Sequence, residues 1–264
     1  MLSFGSLFSG IGGLDLGLER AGMRCAWQVE IDPFCRAVLA KHWPDTLCFE
    51  DVRHVGRNEL ATVDLVCGGF PCQPVSLAGK RNGHEDPRWL WPEFARILGE
   101  LRPQYAVLEN VPGLRTKGFG QVLGDLARHG YDAEWASIPA AAFGAPHLRY
   151  RIFIVAFAQG FGRQRRDSIS STAFSDGRFC PEGNHRQTGN VADADRKPLV
   201  WTTEPWRECH TWPVEPNVGR MAYGVPRRVD RLRALGNAVV PQVAEWIGRR
   251  IIEADGAGCA PVPV

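Results

Sequence analysis

Apolar positions in the first 157 residues alternate between short continuous runs and stretches with helical spacing. The continuous runs are rich in β-branched or aromatic residues, and they occupy residues 2–8, 24–30, 63–69, 104–110 and 151–157. Runs of this kind are typical of strands buried on both faces of a sheet. The stretches with helical spacing begin with Pro or end with Gly, and they occupy residues 13–22, 33–43 and 119–130. The alternation predicts an α/β fold with a doubly wound, mainly parallel sheet.

The pattern changes in the second half of the chain. Residues 159–219 show little hydrophobic periodicity; their first half is rich in Ser and Gly, whereas their second half contains three tryptophans. A separate, loop-rich lobe accounts for both halves, and a disordered insertion is the alternative. Helical spacing resumes behind Pro241, which indicates that the chain returns to the first domain. We therefore predict one domain from residues 1–158 and 234–264, and a small second region from residues 159–233.

Composition narrows the class of protein. The chain has 264 residues and a formal net charge of +2. Because this charge is small, binding of a nucleic acid would require basic residues that are clustered on one part of the surface. Residues 220–233 are such a cluster, with five arginines and one aspartate. The absence of a run of about 18 apolar residues and of a secretory leader pattern indicates a cytoplasmic protein with no membrane partner. The eight cysteines include no C-x-x-C pair, and neither disulfides nor a metal site is expected.

A glycine-rich turn at residues 8–13 (FSGIGG) follows the first predicted strand and opens the first predicted helix. The backbone N–H groups of such a turn, together with the helix N-terminus, are used in proteins to bind nucleotide-like cofactors. Glu30 ends the second predicted strand, where a doubly wound fold places the carboxylate that binds ribose hydroxyls. A plain tight turn and a solvated surface glutamate remain the alternatives.

Residues 68–80 (GGFPCQPVSLAGK) place Cys72 directly behind Pro71, on a loop too rich in Gly and Pro for a helix or a central strand. Proline fixes its own φ and favours an extended preceding residue, so the thiol is held in place. A reachable cysteine near positive charge acts as a nucleophile, whereas the inert buried role suits Cys67 in its strand better. A nicotinamide-dependent dehydrogenase would carry G-x-G-x-x-G and would leave this loop unexplained.

Five segments appear in an order known from one enzyme family: FSGIGG (8–13), GGFPCQPVSLAGK (68–80), ENV (109–111), HLRYR (147–151) and ALGNAVVPQVA (234–244). On these segments the chain resembles the C5-cytosine-specific DNA methyltransferases of bacteria and phages. The match runs from Phe8 to the C-terminal helix and leaves residues 159–219 unmatched. The resemblance implies a Rossmann-like fold that uses S-adenosylmethionine, with a small DNA target-recognition lobe in the unmatched segment.

The resemblance implies catalytic roles for four residues. The Cys72 thiolate would add to C6 of a cytosine and turn C5 into a carbon nucleophile, while Glu109 would donate a proton or a hydrogen bond to N3. Arg151 would hold the O2 side of the base, and Arg149 would brace the site, with a surface arginine as the alternative for Arg149. Since Glu109 ends an apolar strand, desolvation is expected to raise its pKa. Loss of the C5 proton and elimination of Cys72 would complete the cycle.

The pocket for S-adenosylmethionine would draw on several parts of the chain. The resemblance implies that Phe8 lies against the adenine, that the glycine turn holds the methionine part, and that Glu30 binds the ribose hydroxyls. The GNAV turn near the C-terminus would close the pocket. The full set of cofactor contacts implied by the resemblance is Phe8, Ser9, Gly10, Ile11, Gly12, Gly13, Glu30, Ile31, Asp51, Val52, Gly69, Pro71, Asn237 and Ala238.

Chemistry at C6 requires the cytosine to leave the base stack of double-stranded DNA, as in other methyltransferases. Residues 73–91 would close over the extruded base, with Gln73 and Ser76 filling the space that it leaves. Phosphate contacts are expected on the closing loop and on the basic cluster, from Lys80, Arg88, Arg227, Arg228 and Arg231. Solvated side chains with ordinary charges are the alternative for both segments.

Two features depart from the family pattern. His147 stands where the family has Gln, and residues 220–233 stand where the family has a motif containing Arg and Glu. The related branch that methylates tRNA and a non-catalytic DNA-binding relative are the alternatives to a DNA methyltransferase. The four catalytic residues are intact, which argues against a non-catalytic relative. A monomer is expected, and a cognate restriction endonuclease in the same system is left open.

Overall fold

The computed structural model describes residues 1–71, 89–145, 147–159 and 227–257. In these residues the strands are β1 Ser3–Leu7, β2 Arg24–Val29, β3 Leu47–Phe49, β4 Leu65–Gly68, β5 Tyr105–Asn110, β6 Tyr131–Pro139 and β7 Tyr150–Ala158. They form one sheet with the order β3-β2-β1-β4-β5-β7-β6. The first five strands pair in parallel, and β7 runs antiparallel to β5 and β6. The predicted mainly parallel sheet is confirmed, and all five predicted strands belong to it.

The described helices are α1 Gly13–Arg20, α2 Pro33–His42, α3 Trp91–Leu101, α4 Phe119–Arg128, α5 Arg228–Asn237 and α6 Pro241–Ala257. The predicted helices correspond to α1, α2, α4 and α6, whereas α3, β3 and β6 were not predicted. Helix α5 crosses the domain boundary predicted between residues 233 and 234, and the division into two regions stays a prediction because residues 160–226 lie outside the described residues. Within the described part of the chain, every helix is too short or too polar to span a bilayer.

The helices cover both faces of the sheet, and each face has its own hydrophobic core. On one face, aromatic and aliphatic side chains of α3, such as Trp91 and Phe94, pack against the sheet together with residues of α4. On the other face, α1 and α6 pack side by side over the sheet. The two helices approach closely because α1 has a glycine at the contact: a Cβ on Gly17 would lie 2.4 Å from the Cβ of Ala244.

The carboxyl ends of β1, β2, β4 and β5 meet at one edge of the sheet, because these strands are parallel. Strand β7 is antiparallel to β5, with Glu109 opposite Phe153 and Asn110 opposite Ile152, so that its amino end lies at the same edge. Ligands of doubly wound folds bind outside the carboxyl ends of the parallel strands. The fold thus brings the ends of β5 and β7 together with the glycine-rich turn after β1.

Candidate active site

The most buried charged pair at this edge joins Glu109, at the end of β5, to Arg151, at the start of β7. Arg151 Nε lies 2.9 Å from Glu109 Oε1, and Glu109 is 8% exposed. Burial raises the pKa of Glu109 to about 7, although the positive charges of Arg151 and Arg149 act in the opposite direction. The predicted increase of this pKa is confirmed. A carboxyl group with this pKa is present in both protonation states near neutral pH.

The backbone that leads to Cys72 is tied to the end of β5. The side-chain amide of Asn110 donates to the Phe70 carbonyl oxygen over 3.1 Å, and Asn110 is buried. Gly69 lies against the carboxylate, since a Cβ there would lie 2.7 Å from Glu109 Oε2 and would push this oxygen aside. Pro71 follows and is half-buried. Of the expected cofactor contacts, Gly69 therefore lies directly beside the Glu109 carboxylate, and Pro71 lies two residues further along the chain.

The residues on either side of segment 72–88 belong to one aromatic cluster. The ring of Phe70 lies 5.4 Å from the ring of Trp89 and 5.4 Å from that of Trp91, and all three side chains are buried. The indole of Trp91 also donates to Asp125 of α4 over 2.8 Å. The predicted residues of this segment lie outside the described residues, namely Cys72, Gln73, Ser76, Lys80 and Arg88. Phe70 and Trp89, which flank this segment, are therefore both held in the buried core.

The glycine-rich turn after β1 is held by the side chain of Glu30 at the end of β2. One carboxylate oxygen of Glu30 accepts from the Gly10 amide over 2.7 Å, and the other accepts from the Asp32 amide over 2.8 Å. Gly10 and Gly12 have φ angles of 57° and 82°, which favour glycine. Gly12 also packs against the ring of Trp43, which leaves no room for a Cβ. The predicted partners Glu30 and the glycine turn therefore form one connected unit.

The remaining predicted residues of the turn lie around this unit. Phe8 has a φ of 54°, which is unusual for a residue with a side chain, and its ring stacks on that of Phe94 at 6.5 Å. The Ser9 amide donates to the Val29 carbonyl over 3.1 Å. Ile11 and Gly13 are half-buried, while Ile31 is 56% exposed. An isoleucine that is this exposed beside Glu30 leaves an apolar surface next to the glycine turn.

Asp51 and Val52 face different surroundings. The guanidinium of Arg53 binds the Asp51 carboxylate through both oxygens and lowers its pKa to about 2. The Val52 side chain is buried in the core shared with α3. The Asp51 carboxylate is thus paired with Arg53, and the Val52 side chain belongs to the core. A contact of either residue with a cofactor stays a prediction.

The chain around Asn237 and Ala238 is held at the active-site edge of the sheet by Arg149. Arg149 Nη2 donates to the carbonyl oxygens of Gly236 and Ala238, over 2.7 Å in each case. Asn237 itself is exposed, and Ala238 is half-buried. A Cβ on Gly13 would lie 2.4 Å from the Val239 carbonyl oxygen, so the chain after α5 lies directly on the glycine turn.

The described arginines in and next to the basic helix α5 are exposed. Arg227 and Arg231 are exposed, and the side chain of Arg228 lies outside the described residues. Arg233 Nη1 lies 3.7 Å from Asp32 Oδ2, which is a weak exposed ion pair. Arg227 and Arg231, two of the predicted phosphate contacts, are therefore accessible to DNA. His147, which stands where the family has Gln, is also exposed.

Sequence reasoning missed two residues that organise the site. Asn110 fixes the chain before Pro71, as described above. Arg36 of α2 donates through one nitrogen to the carbonyl oxygens of Glu30 and Ile31, over 3.1 and 2.8 Å. The only available signal for Asn110 was its place in the ENV segment. Arg36 had no signal, because its partners at the site are backbone carbonyl groups, and its other partner is Glu50, 3.3 Å away.

Comparison with known proteins identifies the family. The family model for the C-5 cytosine-specific DNA methylase matches residues 2–210. The Type II methyltransferase M.AquIA of Picosynechococcus is 38% identical over 172 residues, which are 57% of this chain and 69% of that protein. The Type II methyltransferase M.NgoMIV of Neisseria gonorrhoeae is 29% identical over an alignment that covers 93% of this chain and 96% of that protein.

A solved E. coli structure, described as a prophage-encoded DNA modification methyltransferase, has the same fold. It superposes with a TM-score of 0.51 at 31% identity, over 60% of this chain and 47% of that one, so this chain spans about half of that protein. The family match extends over both halves of the edge described above, from the glycine turn through Glu109 to Arg151. The chain belongs to the C-5 cytosine-specific DNA methylase family and is a methyltransferase of that class.

Proposed function

We propose that the enzyme transfers a methyl group from S-adenosylmethionine to C5 of a cytosine that has been extruded from duplex DNA, through a covalent bond between Cys72 Sγ and C6. The observation that carries this proposal is the buried Glu109–Arg151 pair at 2.9 Å, with a carboxyl pKa of about 7, beside the backbone that precedes Cys72. A proton donor and a cation at this place match the N3 and O2 positions of a cytosine under attack at C6.

The reaction balances as follows. The Cys72 thiolate forms a bond to C6, and the electron pair of the C5=C6 bond moves toward N3 and O2. Glu109, in its protonated state, donates its proton to N3, while Arg151 compensates the negative charge at O2. C5 would then accept the methyl group of S-adenosylmethionine while its C–S bond breaks, and S-adenosylhomocysteine would be the leaving group. A base removes the C5 proton, the C5=C6 double bond re-forms, the Cys72 thiolate leaves, and the N3 proton returns to Glu109.

S-adenosylmethionine supplies an electrophilic methyl group. The residues around the glycine turn fit such a ligand: a Cβ on Gly10 would meet nothing within 4 Å, so the space beside the turn is open there, and the Glu30 carboxylate still has acceptor capacity beyond its two backbone bonds. Ribose hydroxyls are suitable donors for that capacity. The exposed Ile31 provides an apolar contact next to it. These residues would orient the cofactor from the β1 and β2 side toward C5 of the base.

DNA recognition is assigned to residues 159–233, the segment between the two parts of the catalytic domain (residues 1–158 and 234–264). A segment of this size carries only a few side chains that can read base edges, so the target is expected to be short. Exchange of residues 159–219 for the corresponding segment of a relative with another target tests this assignment. The methylated sequence should change to that of the donor; an active chimera with the original target would contradict the assignment.

Covalent trapping tests the chemistry. Duplex DNA with 5-fluorocytosine at the target should stop after methyl transfer, because fluorine cannot leave as a cation. The enzyme and the DNA should then remain joined in denaturing electrophoresis, and only when S-adenosylmethionine is present. Cys72→Ala should bind DNA without forming this complex.

Cys67→Ala is the matched control. Cys67 is fully buried in β4, and burial raises the pKa of its thiol well above the ordinary range, so it is an inert thiol five residues before Cys72. This variant should still be trapped. A Cys72→Ala protein that still methylates C5 would rule out the covalent mechanism, and a wild-type protein that binds cofactor and DNA without trapping would indicate a non-catalytic relative.

A further inference from the structure

Arg149 makes an unusual connection across the site. It lies just before β7, two residues from Arg151, and its backbone has a φ of 35°, in the left-handed region that residues with a side chain rarely adopt. Its guanidinium donates to two carbonyl oxygens, those of Gly236 and Ala238, which lie 87 and 89 residues further along the chain. A strained backbone that persists is held by its surroundings, and such positions concentrate at functional sites.

The two carbonyl groups belong to the stretch that leaves α5 and covers the glycine turn. Ala238 and Gly236 flank the exposed Asn237, and Val239 follows with its backbone against Gly13. Gly13 begins α1, and Gly10, three residues earlier, is held by the Glu30 carboxylate. A continuous set of contacts therefore runs from Arg149 through the backbone of residues 236–239 to the cofactor side of the site.

We propose that Arg149 is a positioning residue that clamps residues 236–239 onto the glycine turn and thereby couples the cofactor pocket to the Glu109–Arg151 pair. The proposal rests on the proposed function for the identification of the cofactor pocket, and it specifies how Arg149 would brace the site. Both bonds come from one guanidinium nitrogen, Nη2, whose two N–H groups point in fixed directions within the guanidinium plane, whereas the ammonium of a lysine rotates freely on a flexible stem.

The charge of Arg149 supplies the second half of the coupling. Among the described residues, the positive groups that act on the Glu109 carboxylate are Arg151 on the neighbouring strand β7 and Arg149 before that strand; both lower its pKa against the effect of burial. Burial and the nearby Arg151 lower the pKa of Arg149 itself, which remains a cation at neutral pH because an arginine starts from a very high value. Loss of this cation should therefore raise the pKa of Glu109.

Four variants separate the clamp from the charge. Arg149→Met removes both, and Arg149→Lys keeps the charge without the planar fork. Arg36→Met removes another arginine that bridges two carbonyl groups, those of Glu30 and Ile31, together with its ion pair to Glu50. Arg128→Met removes an exposed arginine of α4, paired with Asp125, and is the neutral control. The enzyme is used as the full chain in every case.

Hydrogen exchange of the cofactor-free protein is measured first, since it does not depend on activity. Arg149→Met and Arg149→Lys should exchange faster than wild type in peptides that cover residues 9–16 and 236–243, whereas Arg128→Met should not. If both Arg149 variants keep wild-type exchange in these peptides, the clamp is refuted, whatever the enzyme does. A wild-type protein that fails to bind S-adenosylmethionine refutes the proposed function instead.

Calorimetric titration with S-adenosylhomocysteine and methyl transfer at several pH values follow. Because the pocket-forming conformation is less populated without the clamp, Kd should rise roughly 10- to 100-fold in both Arg149 variants and also in Arg36→Met. The descending limb of the pH profile of kcat should move to higher pH in Arg149→Met alone. An unchanged Kd in both Arg149 variants, or an equal shift of the limb in Arg149→Lys, would overturn the coupling.

Discussion

The raised pKa of Glu109 predicts a specific dependence of the chemical step on pH. Above its pKa the carboxyl group has lost the proton that it is proposed to donate to N3, so the rate of methyl transfer should fall as pH rises through about 7. With a pKa of about 7, roughly one quarter of the enzyme is in the protonated state at pH 7.5. With the ordinary value of 4.5 this fraction would be roughly one in a thousand, so burial of Glu109 is worth a factor of about 200 in the protonated population.

Single-turnover methyl transfer is the appropriate assay, because product release does not enter the measured rate. The wild-type rate, with saturating DNA and cofactor between pH 6 and 9, should fall about tenfold per pH unit on the alkaline side once the carboxyl group is ionised. Glu109→Gln should lose this limb and should be slower by about 10² to 10³ at its best pH. Arg151→Met should move the limb to higher pH, since Arg151 lowers the pKa of Glu109.

A descending limb that stays at the same pH in Glu109→Gln would show that another group titrates, and the assignment of Glu109 as proton donor would then be refuted. Arg128→Met, which removes an exposed arginine of α4, should keep the descending limb at the wild-type pH and is the control.

Three further predictions address other parts of the molecule. Gly69→Ala should lower the single-turnover rate by roughly 10- to 100-fold with little change in thermal stability, because the new Cβ would lie 2.7 Å from Glu109 Oε2 and displace the carboxylate. Burial raises the pKa of Asp15 to about 6, so the contribution of this residue to stability should be complete below about pH 4 and should fall by about 3 kcal/mol as pH rises through 6. In chemical denaturation, Asp15→Asn should lose this part of the pH dependence, since Gln28 Oε1 is free to accept from the new amide. Arg231→Gln should reduce the slope of log affinity for DNA against log salt by about 0.9 for all sequences alike, and an unchanged slope would assign Arg231 to a solvated face.

The buried strands could be predicted from the sequence because a strand covered on both faces has to be apolar throughout. Strand β6 escaped prediction for the opposite reason: it is the edge strand of the sheet, and its half-exposed residues, such as Asp132 and Glu134, interrupt any apolar run. Strand β3 consists of three residues at the other edge, with Leu47 largely exposed. Edge strands therefore carry a weaker hydrophobic signal than central ones.

The parts of the site that depend on the type of a side chain and on its place in a strand could be predicted from the sequence. The pKa of Glu109 could be anticipated because the residue ends an apolar strand. The bonds from Asn110 to the Phe70 carbonyl, and from Arg149 to two carbonyls near the C-terminus, could not be anticipated, since every residue has a carbonyl group and the partners lie 40 to 89 residues away. Tertiary hydrogen bonds to the backbone leave no sequence pattern at the accepting residue.

The packing of α1 on α6 has a consequence for the order in which the enzyme acquires activity during synthesis. A ribosome makes α1 within the first 20 residues and makes α6 more than 200 residues later, a delay of roughly 10 to 50 s at ordinary elongation rates. Throughout this interval Gly17 lacks the helix that it contacts, and the turn before α1 lacks the cover of Val239. We expect the nascent chain to be unable to hold the cofactor until α6 has left the ribosomal tunnel, so that methylation cannot begin from an unfinished polypeptide.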